Sequence, residues 1–162
     1  MKTLIIVSSY HHHNTLKVAR AMAGALRAEV VSPDQVNPDT LLAYDLVGFG
    51  SGIYDAMHHR MLLKLADSLP TAEGRKAFLF STDGTPRLRM IKREAYKRKM
   101  VADHLQLRRK LEAKGYRVVG DFNCAGFNTN VFLKFFGGVN KGRPSADDLA
   151  LAANFAGSLS AI

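Results

Sequence analysis

The first fifteen residues hold the feature that most constrains the fold of this 162-residue chain. A short apolar run, Leu4–Val7, ends abruptly in a polar cluster, Ser8–Thr15, and a helical pattern begins at once. A strand that ends in hydroxyls and amides just before a helix N-terminus brings backbone N–H groups together, and the helix dipole adds partial positive charge. The segment therefore predicts an anion site, which in an α/β protein is where a phosphate is expected.

Strand patterns and helix patterns alternate along the rest of the chain. Short apolar runs bounded by polar or glycine-bearing segments predict strands, and apolar residues spaced along one face predict helices. The predicted strands are Thr3–Ser8, Glu29–Val31, Asp45–Gly50, Lys76–Phe80 and Arg117–Phe122, and the predicted helices are Asn14–Arg27, Met57–Leu69, Glu94–Lys114 and about Ser145–Leu159. This alternation predicts a doubly wound, five-stranded parallel sheet covered by helices on both faces, a three-layer α/β/α fold.

Three of these strands run directly into small polar loops, which are Ser8–Thr15, Gly50–Asp55 and Ser81–Gly84. In such sheets ligands bind beyond the carboxyl ends of the strands, at the point where the strand order reverses. Because the three loops follow carboxyl ends, we expect them to converge on one ligand. Their convergence is a stronger indication of a binding site than any one loop alone.

The composition limits the class of protein. A length of 162 residues predicts one domain, residues 1–162, and contents of 47% hydrophobic and 23% charged residues are ordinary for a globular chain. No apolar stretch approaches the length of a membrane span, and the start lacks the apolar region of a secretory signal. The single cysteine, Cys124, excludes an internal disulfide and predicts a reducing, cytoplasmic setting. A net charge of +9 favours an acidic or anionic partner.

The loops and the tail of the chain resemble the flavodoxin-like family, which binds flavin mononucleotide (FMN) without covalent attachment. Ser9–Thr15, a hydroxyl-rich turn ending in Asn-Thr, is similar to the family's phosphate loop. Gly48–Tyr54 is similar to the loop that lies against one side of the isoalloxazine, and Phe80–Gly84 to the loop that meets its pyrimidine side. The tail segments that resemble a branch described as "flavodoxin family protein" are Gly137–Pro144, Asp147–Leu149 and Ala153–Ala156.

The resemblance implies a strand order of 2-1-3-4-5, FMN as cofactor, and electron transfer to a redox partner protein or a small-molecule acceptor. An alternative that keeps the flavin is a small quinone or protoporphyrinogen oxidoreductase. A less favoured alternative is a non-redox module that binds a phosphorylated ligand or nucleic acid, for which no firm motif is present. The residues implied to bind the cofactor are Ser9, Tyr10, His11, His12, His13, Asn14, Thr15, Ser51, Gly52, Ile53, Tyr54, Ser81, Thr82, Asp83 and Gly84.

Two features depart from the family's pattern. Where the phosphate loop commonly has glycine before Asn-Thr, this chain has His13. A histidine adopts a positive φ at some cost, and its imidazole is an additional hydrogen-bond donor for a phosphate. Many small electron-transfer flavodoxins are acidic, whereas this chain is strongly basic, so the usual partner class does not carry over.

Some residues leave two interpretations open. His11–His13 resemble metal ligands, with His58, His59 or His104 nearby, but the spacing forms no recognisable metal site, and we prefer the phosphate-loop interpretation. Tyr54 is either a ring that stacks on the flavin or a surface aromatic. Cys124 follows a strand and is interpreted as a small buried hydrophobe.

Two clusters in the second half of the chain are also ambiguous. The aromatic residues of the glycine-rich stretch Gly126–Pro144 either pin that stretch to the sheet, or cover the cofactor, or form an apolar entry for a quinone-like substrate; they are Phe127, Phe132, Phe135 and Phe136. The basic run is either a solvated helix face, or a surface for an acidic redox partner, an anionic membrane or a substrate; it comprises Arg87, Arg89, Lys92, Arg93, Lys97, Arg98 and Lys99.

Overall fold

The computed structural model of this chain describes residues 1–86, 92–130, 133, 135 and 137–162. In chain order, the strands are β1 (Thr3–Ser8), β2 (Glu29–Val31), β3 (Leu46–Tyr54), β4 (Met57–His58), β5 (Lys76–Asp83) and β6 (Arg117–Ala125). The helices are α1 (Asn14–Leu26), α2 (Arg60–Ser68), α3 (Arg93–Ala113) and α4 (Ala146–Leu159). Short 3-10 turns occupy His11–His13, Pro33–Gln35 and Pro38–Ala43.

Five strands form one parallel sheet in the order β2-β1-β3-β5-β6. Counted as parallel strands alone, this is the predicted order 2-1-3-4-5, and the doubly wound α/β architecture is confirmed. The sixth strand, β4, has two residues and pairs antiparallel with the end of β3. It closes a tight hairpin at the carboxyl edge of the sheet.

The strands run further than their apolar runs suggest. The sequence predicts ends at Gly50, Phe80 and Phe122, but β3, β5 and β6 continue to Tyr54, Asp83 and Ala125. Pairing continues through the polar residues because each has a partner in register, as with Ser51 opposite Ser81. Backbone hydrogen bonds are indifferent to side-chain polarity, so a polar pair does not end a ladder.

The predicted loop Gly50–Asp55 and the predicted start of the second helix at Met57 are therefore both wrong. Asp55 and Ala56 turn the chain with φ values of 49° and 60°, and Met57 and His58 pair back onto β3. Helix α2 begins at Arg60, after His59 accepts a hydrogen bond from the backbone N–H of Met61. The hairpin therefore replaces the first turn of the predicted helix.

Two apolar layers enclose the sheet. One layer packs β1, β3 and β5 against α2 and α3 through buried residues such as Ile6, Phe49 and Leu107. The other packs the opposite face against α1 and α4 through residues such as Ile5, Met22 and Ala156. Helix α4 begins with the predicted capping pair, in which Ser145 and Asp148 bond each other's backbone N–H groups. Within the described ranges, no helix combines the length and the apolar character needed to cross a membrane.

Candidate functional site

A cleft lies at the carboxyl edge of the sheet, where the last residues of β3 and β5 meet the segments that follow β1, β5 and β6. Residues from all three of the predicted loops line it, so the structure brings those loops together. The predicted site residues that line the cleft are Ser9, Tyr10, His11, Asn14, Thr15, Gly52, Ile53, Tyr54, Thr82, Asp83 and Gly84. Gly126, Asn128 and Asn130 also line the cleft and were not predicted to do so, and Phe127, whose role was left open, lines it as well.

The turn between β1 and α1 contains two consecutive residues with left-handed backbones. His12 and His13 both have left-handed backbones, with φ values of 53° and 52°, and His13 is the N-cap of α1. The position where the family commonly has glycine therefore does require a positive φ. Ser9 Oγ accepts the backbone N–H of Leu16 at 3.2 Å, which fixes the loop against the first turn of the helix.

Buried hydroxyls and an amide lie at the base of this turn. The hydroxyls of Thr15 and Thr82 are hydrogen-bonded at 2.8 Å, which joins the first loop to the third. Asn14 Nδ2 donates to the carbonyl of Phe127 at 2.8 Å, while its buried Oδ1 has no hydrogen-bond partner among the described residues. An unpaired buried acceptor is costly, so this amide oxygen is well placed to receive a donor from a ligand.

The segment after β6 forms a further wall of the cleft. The imidazole of His12 lies 4.6 Å from the Phe127 ring, measured between centroids, and bonds the Thr129 hydroxyl at 2.8 Å. Asn128 pairs with Val139 in an isolated antiparallel bridge. This wall was not predicted, because the predicted strand ends at Phe122, three residues early. Polar residues shortly after a strand, here Asn128–Asn130, are the signal that would have indicated it.

An aromatic group borders the cleft at the β3–β4 hairpin. The Tyr54 ring lies over Gly52, so that a Cβ on that glycine would be 3.0 Å from the ring. His59 lies between two tyrosines, with its ring centroid 5.0 Å from that of Tyr10 and 5.7 Å from that of Tyr54. Burial, and to a smaller extent Tyr10, raises the pKa of Tyr54, so its phenol stays protonated at neutral pH.

Four predicted site residues do not line the cleft. His12 bonds the wall as described, and His13 borders a neighbouring cavity beside β2. Ser51 and Ser81 are fully buried, and each directly precedes a residue that lines the cleft, Gly52 and Thr82 respectively. Their assignment to the cofactor stays a prediction.

Ser51 and Ser81 belong to a polar row that crosses the sheet beneath the cleft. In register, Ser8 pairs with Ser51, Ser51 with Ser81, and Ser81 with Asn123. Each serine bonds an imidazole: Ser8 to His59 at 3.0 Å, Ser51 to His58 at 2.9 Å and Ser81 to His104 at 2.8 Å. In the sequence, these histidines were interpreted only as further metal ligands.

The charges around this row are partly compensated. His104 Nδ1 contacts Asp121 Oδ1 at 2.8 Å, and Arg108 pairs with the other carboxylate oxygen. Burial opposes ionisation of Asp121, but the hydrogen bond from His104 and the nearby guanidinium hold the pKa of this carboxyl below its ordinary value. His58 is buried with its ring 4.7 Å from that of His104, and burial together with that neighbour keeps the pKa of His58 well below its usual value. His58 is therefore neutral at pH 7.

The other open interpretations are partly resolved. Cys124 is buried, as predicted. Phe135 is 77% exposed, and Phe132 and Phe136 lie outside the described residues. In the basic run, Lys99 pairs with Asp103, while Arg87 and Arg89 lie outside the described residues. The described histidines, cysteine and acids contain no group of three or more arranged to hold a metal ion.

The sequence and the fold are similar to those of known proteins. The chain matches the profile of the flavodoxin domain family over residues 4–123. It is 42% identical over 159 residues to an uncharacterised protein of Methanocaldococcus jannaschii, with 98% of each chain covered. Oxidised flavodoxin 2 from Bacillus cereus has a TM-score of 0.68 and 17% identity, covering 99% of both chains. A flavodoxin from the domain Archaea has a TM-score of 0.62 and 14% identity, covering 99% of this chain and 97% of its own. At these identities, the two solved structures establish similarity of fold.

Proposed function

This chain belongs to the flavodoxin domain family, and we propose that it holds FMN without a covalent bond in the cleft and passes electrons to a redox partner. The observation that carries the proposal is the buried group at the base of the turn, where Asn14, Thr15 and Thr82 present hydroxyls and an unpartnered amide oxygen to one cleft. A phosphate needs N–H and O–H donors, and a ribityl chain brings hydroxyl donors. The hydroxyl donors of this cleft fit the phosphate, and the Asn14 amide oxygen is an acceptor that fits the ribityl chain.

The residues of the chain would divide the work of binding. The Ser9 and Thr15 hydroxyls and the N-terminal amides of α1 would hold the phosphate, where the helix dipole favours negative charge. Asn14 Oδ1 would accept a hydrogen bond from the ribityl chain. Tyr54 and the backbone of Gly52 and Thr82–Gly84 would orient the ring system, with Phe127 excluding water. When bound, FMN supplies the electron-transfer chemistry, and the protein sets its orientation and electrostatics.

A comparison of two flavins tests this proposal. Riboflavin shares the ring and the ribityl chain with FMN but lacks the phosphate, so it removes only the contacts of the turn. We expect freshly purified protein to show the visible absorption of a bound flavin. After the flavin is removed, FMN should rebind at least about tenfold more tightly than riboflavin, because charge-assisted hydrogen bonds to a phosphate are strong. Once a chemical reductant has reduced it, the bound FMN should donate electrons to an artificial one-electron acceptor.

Two results would contradict the proposal. Protein that stays colourless and gains no heat stability from added FMN does not use this cofactor. Equal affinity for the two flavins would mean that the turn does not hold a phosphate.

The aromatic border of the cleft favours a second candidate function, the reduction of a quinone. Tyr10, Tyr54 and Phe127 place three rings around one opening, and flat apolar substrates bind between such rings. Steady-state turnover of a quinone with a reduced nicotinamide donor would distinguish this enzyme from an electron carrier. An electron carrier exchanges single electrons and shows no saturable turnover of this kind.

A further inference from the structure

Both ring nitrogens of His104 have hydrogen-bond partners whether the ring is neutral or protonated. Asn123 Nδ2 donates to Ser81 Oγ at 2.9 Å, so the hydrogen of that hydroxyl is available to His104 Nε2 at 2.8 Å. A carboxylate only accepts, so the contact with Asp121 Oδ1 requires a hydrogen on His104 Nδ1. Neutral His104 therefore carries its hydrogen on Nδ1 and accepts from Ser81 at Nε2.

The protonated ring also finds partners. With a hydrogen on Nε2, His104 would donate to Ser81 Oγ, whose two lone pairs then accept from His104 and Asn123 while its own hydrogen turns away. The two states differ by one proton and by the direction of one hydroxyl. Neither state leaves a ring nitrogen of this buried residue unpaired, which is the main cost of changing the charge of a buried group.

The neighbouring imidazole, that of His58, does not have hydrogen-bond partners for both protonation states. Ser51 Oγ donates to the carbonyl of Gly52 at 2.8 Å and accepts the backbone N–H of His59 at 2.9 Å, so its contact with His58 Nδ1 is donated by the ring. His58 Nε2 then has neither a hydrogen nor a partner among the described residues. His58 is a fixed, neutral neighbour.

The charges that face His104 come from several elements. Asp121 of β6 and Arg108 of α3 form an ion pair beside the ring, and His58 of β4 lies against it. On the same helix, buried Asp103 is paired with Lys99. Helix α2 turns its charged groups to solvent and packs on α3 through leucines; those charged groups are Arg60, Lys64 and Asp67. Strand β5 faces the ring with uncharged Ser81, so local charges nearly cancel.

A negative charge added close to His104 would therefore decide whether its ring is protonated. Ser81 is followed along β5 by Thr82, which lines the cleft and bonds Thr15, so the hydrogen bond between Ser81 and His104 begins one residue along the strand from the cleft lining. We propose that His104 takes up a proton from solvent when negative charge develops in the cleft, and releases it when that charge leaves. One N–H bond forms at Nε2, the Ser81 hydroxyl keeps its hydrogen and turns, and no electron moves onto His104.

This inference rests on the proposed function, because reduction of a bound flavin is the source of the negative charge. His104 is here a positioning residue that acts through Ser81 and does not touch the cofactor. The role predicts a linkage between electrons and protons that a purely structural histidine would not produce.

The first measurement observes the ring nitrogens directly. Protein labelled with ¹⁵N in its histidine rings is compared by NMR without flavin, with oxidised FMN and with reduced FMN, between about pH 6 and pH 8. We expect a hydrogen on His104 Nδ1 in the first two samples and a second one, on Nε2, in the reduced sample. A single ring hydrogen in all three samples overturns the inference, even if FMN binds and is reduced.

The second measurement counts protons taken up on photoreduction in weakly buffered solution with an indicator dye. His104→Gln keeps groups that can bond both Ser81 and Asp121, and we expect it to take up fewer protons than the wild type, by up to about one per bound flavin. Asp121→Asn keeps an acceptor for Nδ1 but removes the charge, and it should also lower the uptake.

The control is Asp67→Asn, because Asp67 is an exposed carboxylate of α2 that pairs with Lys110 and makes no hydrogen bond or ion pair with His104, Ser81 or Asp121 among the described residues. Its proton uptake should equal that of the wild type. Unchanged uptake in both His104→Gln and Asp121→Asn overturns the inference. Failure to retain any FMN overturns the proposed function first and this inference with it, so the two failures are distinguishable.

Discussion

At the scale of single residues, the contact between Thr15 and Thr82 makes the sharpest prediction about binding. Thr15→Val keeps the shape of the side chain but removes the hydroxyl that bonds Thr82 at 2.8 Å in a buried position. We expect the free energy of unfolding to fall by about 1–2 kcal/mol, because a buried hydroxyl loses its partner. The dissociation constant for FMN should rise by about tenfold, and that for riboflavin should change less, because the lost donor serves the phosphate.

His13→Gly is the matched change in the same turn. His13 is exposed, faces the cavity beside β2 and has a left-handed backbone, with a φ of 52°. Glycine relieves about 1 kcal/mol of backbone strain but loses a similar amount through the more flexible unfolded chain, so stability should change little. The FMN affinity should also stay within about twofold, because the ring does not line the cleft. A tenfold loss would instead show that the imidazole reaches the phosphate.

At the scale of the strands, Gly48 and Gly50 of β3 leave space for phenylalanine rings of β5 on one face of the sheet. Gly50 is opposite Phe80 in register, and a Cβ on Gly50 would lie 2.1 Å from Cζ of that ring. The phenyl ring therefore occupies the space above the glycine. Gly50→Ala should lower the free energy of unfolding by about 2–3 kcal/mol, as overpacking in a core does. Chemical denaturation followed by circular dichroism would measure the loss.

A second change in the pair and a control elsewhere would identify steric conflict as the cause. In the double variant Gly50→Ala/Phe80→Leu, the free energy of unfolding should fall by less than the sum of the losses in the two single variants, because the smaller side chain makes room for the methyl group. Gly24→Ala, on the exposed face of α1 with no atom within 4 Å of the new Cβ, should stabilise by about 0.5–1 kcal/mol. If the double variant shows no such coupling, the ring is not the obstacle.

The same strands show what the sequence could and could not predict. The apolar alternation and the helix caps were sufficient for the order of elements and for a parallel sheet with helices on both faces, because these depend on local patterns. The strand order came from the resemblance to the flavodoxin-like family. The β3–β4 hairpin was missed because Asp55 and Ala56 adopt positive φ values, which are uncommon for residues other than glycine and are not indicated by this sequence. The polar row was missed because it depends on register between distant strands, which places Ser51, Ser81 and Asn123 side by side only after folding.

At the scale of the whole molecule, the net charge of +9 and the exposed cations of α3 predict how a partner docks. Lys92, Arg93, Lys97 and Arg98 are exposed at the N-terminal end of this helix. A cluster of one sign attracts a partner of the opposite sign and raises the association rate, and salt screens that attraction. We therefore expect an acidic electron-carrier protein to react with the reduced flavoprotein in a strongly salt-dependent step.

Stopped-flow spectroscopy would test this with two variants of equal charge. Lys97→Gln/Arg98→Gln removes two cations from α3, and Lys17→Gln/Arg20→Gln removes one lysine and one arginine from the exposed face of α1. The wild-type rate constant should fall by about tenfold between low and high salt. At low salt the α3 variant should react about threefold more slowly than the wild type, with a shallower salt dependence. The α1 variant should lie close to the wild type, because charges remote from the docking surface contribute only through the screened field. Equal slowing of both variants would mean that the total charge, and not the α3 surface, guides the partner. A wild-type rate constant that does not change with salt would exclude an acidic partner.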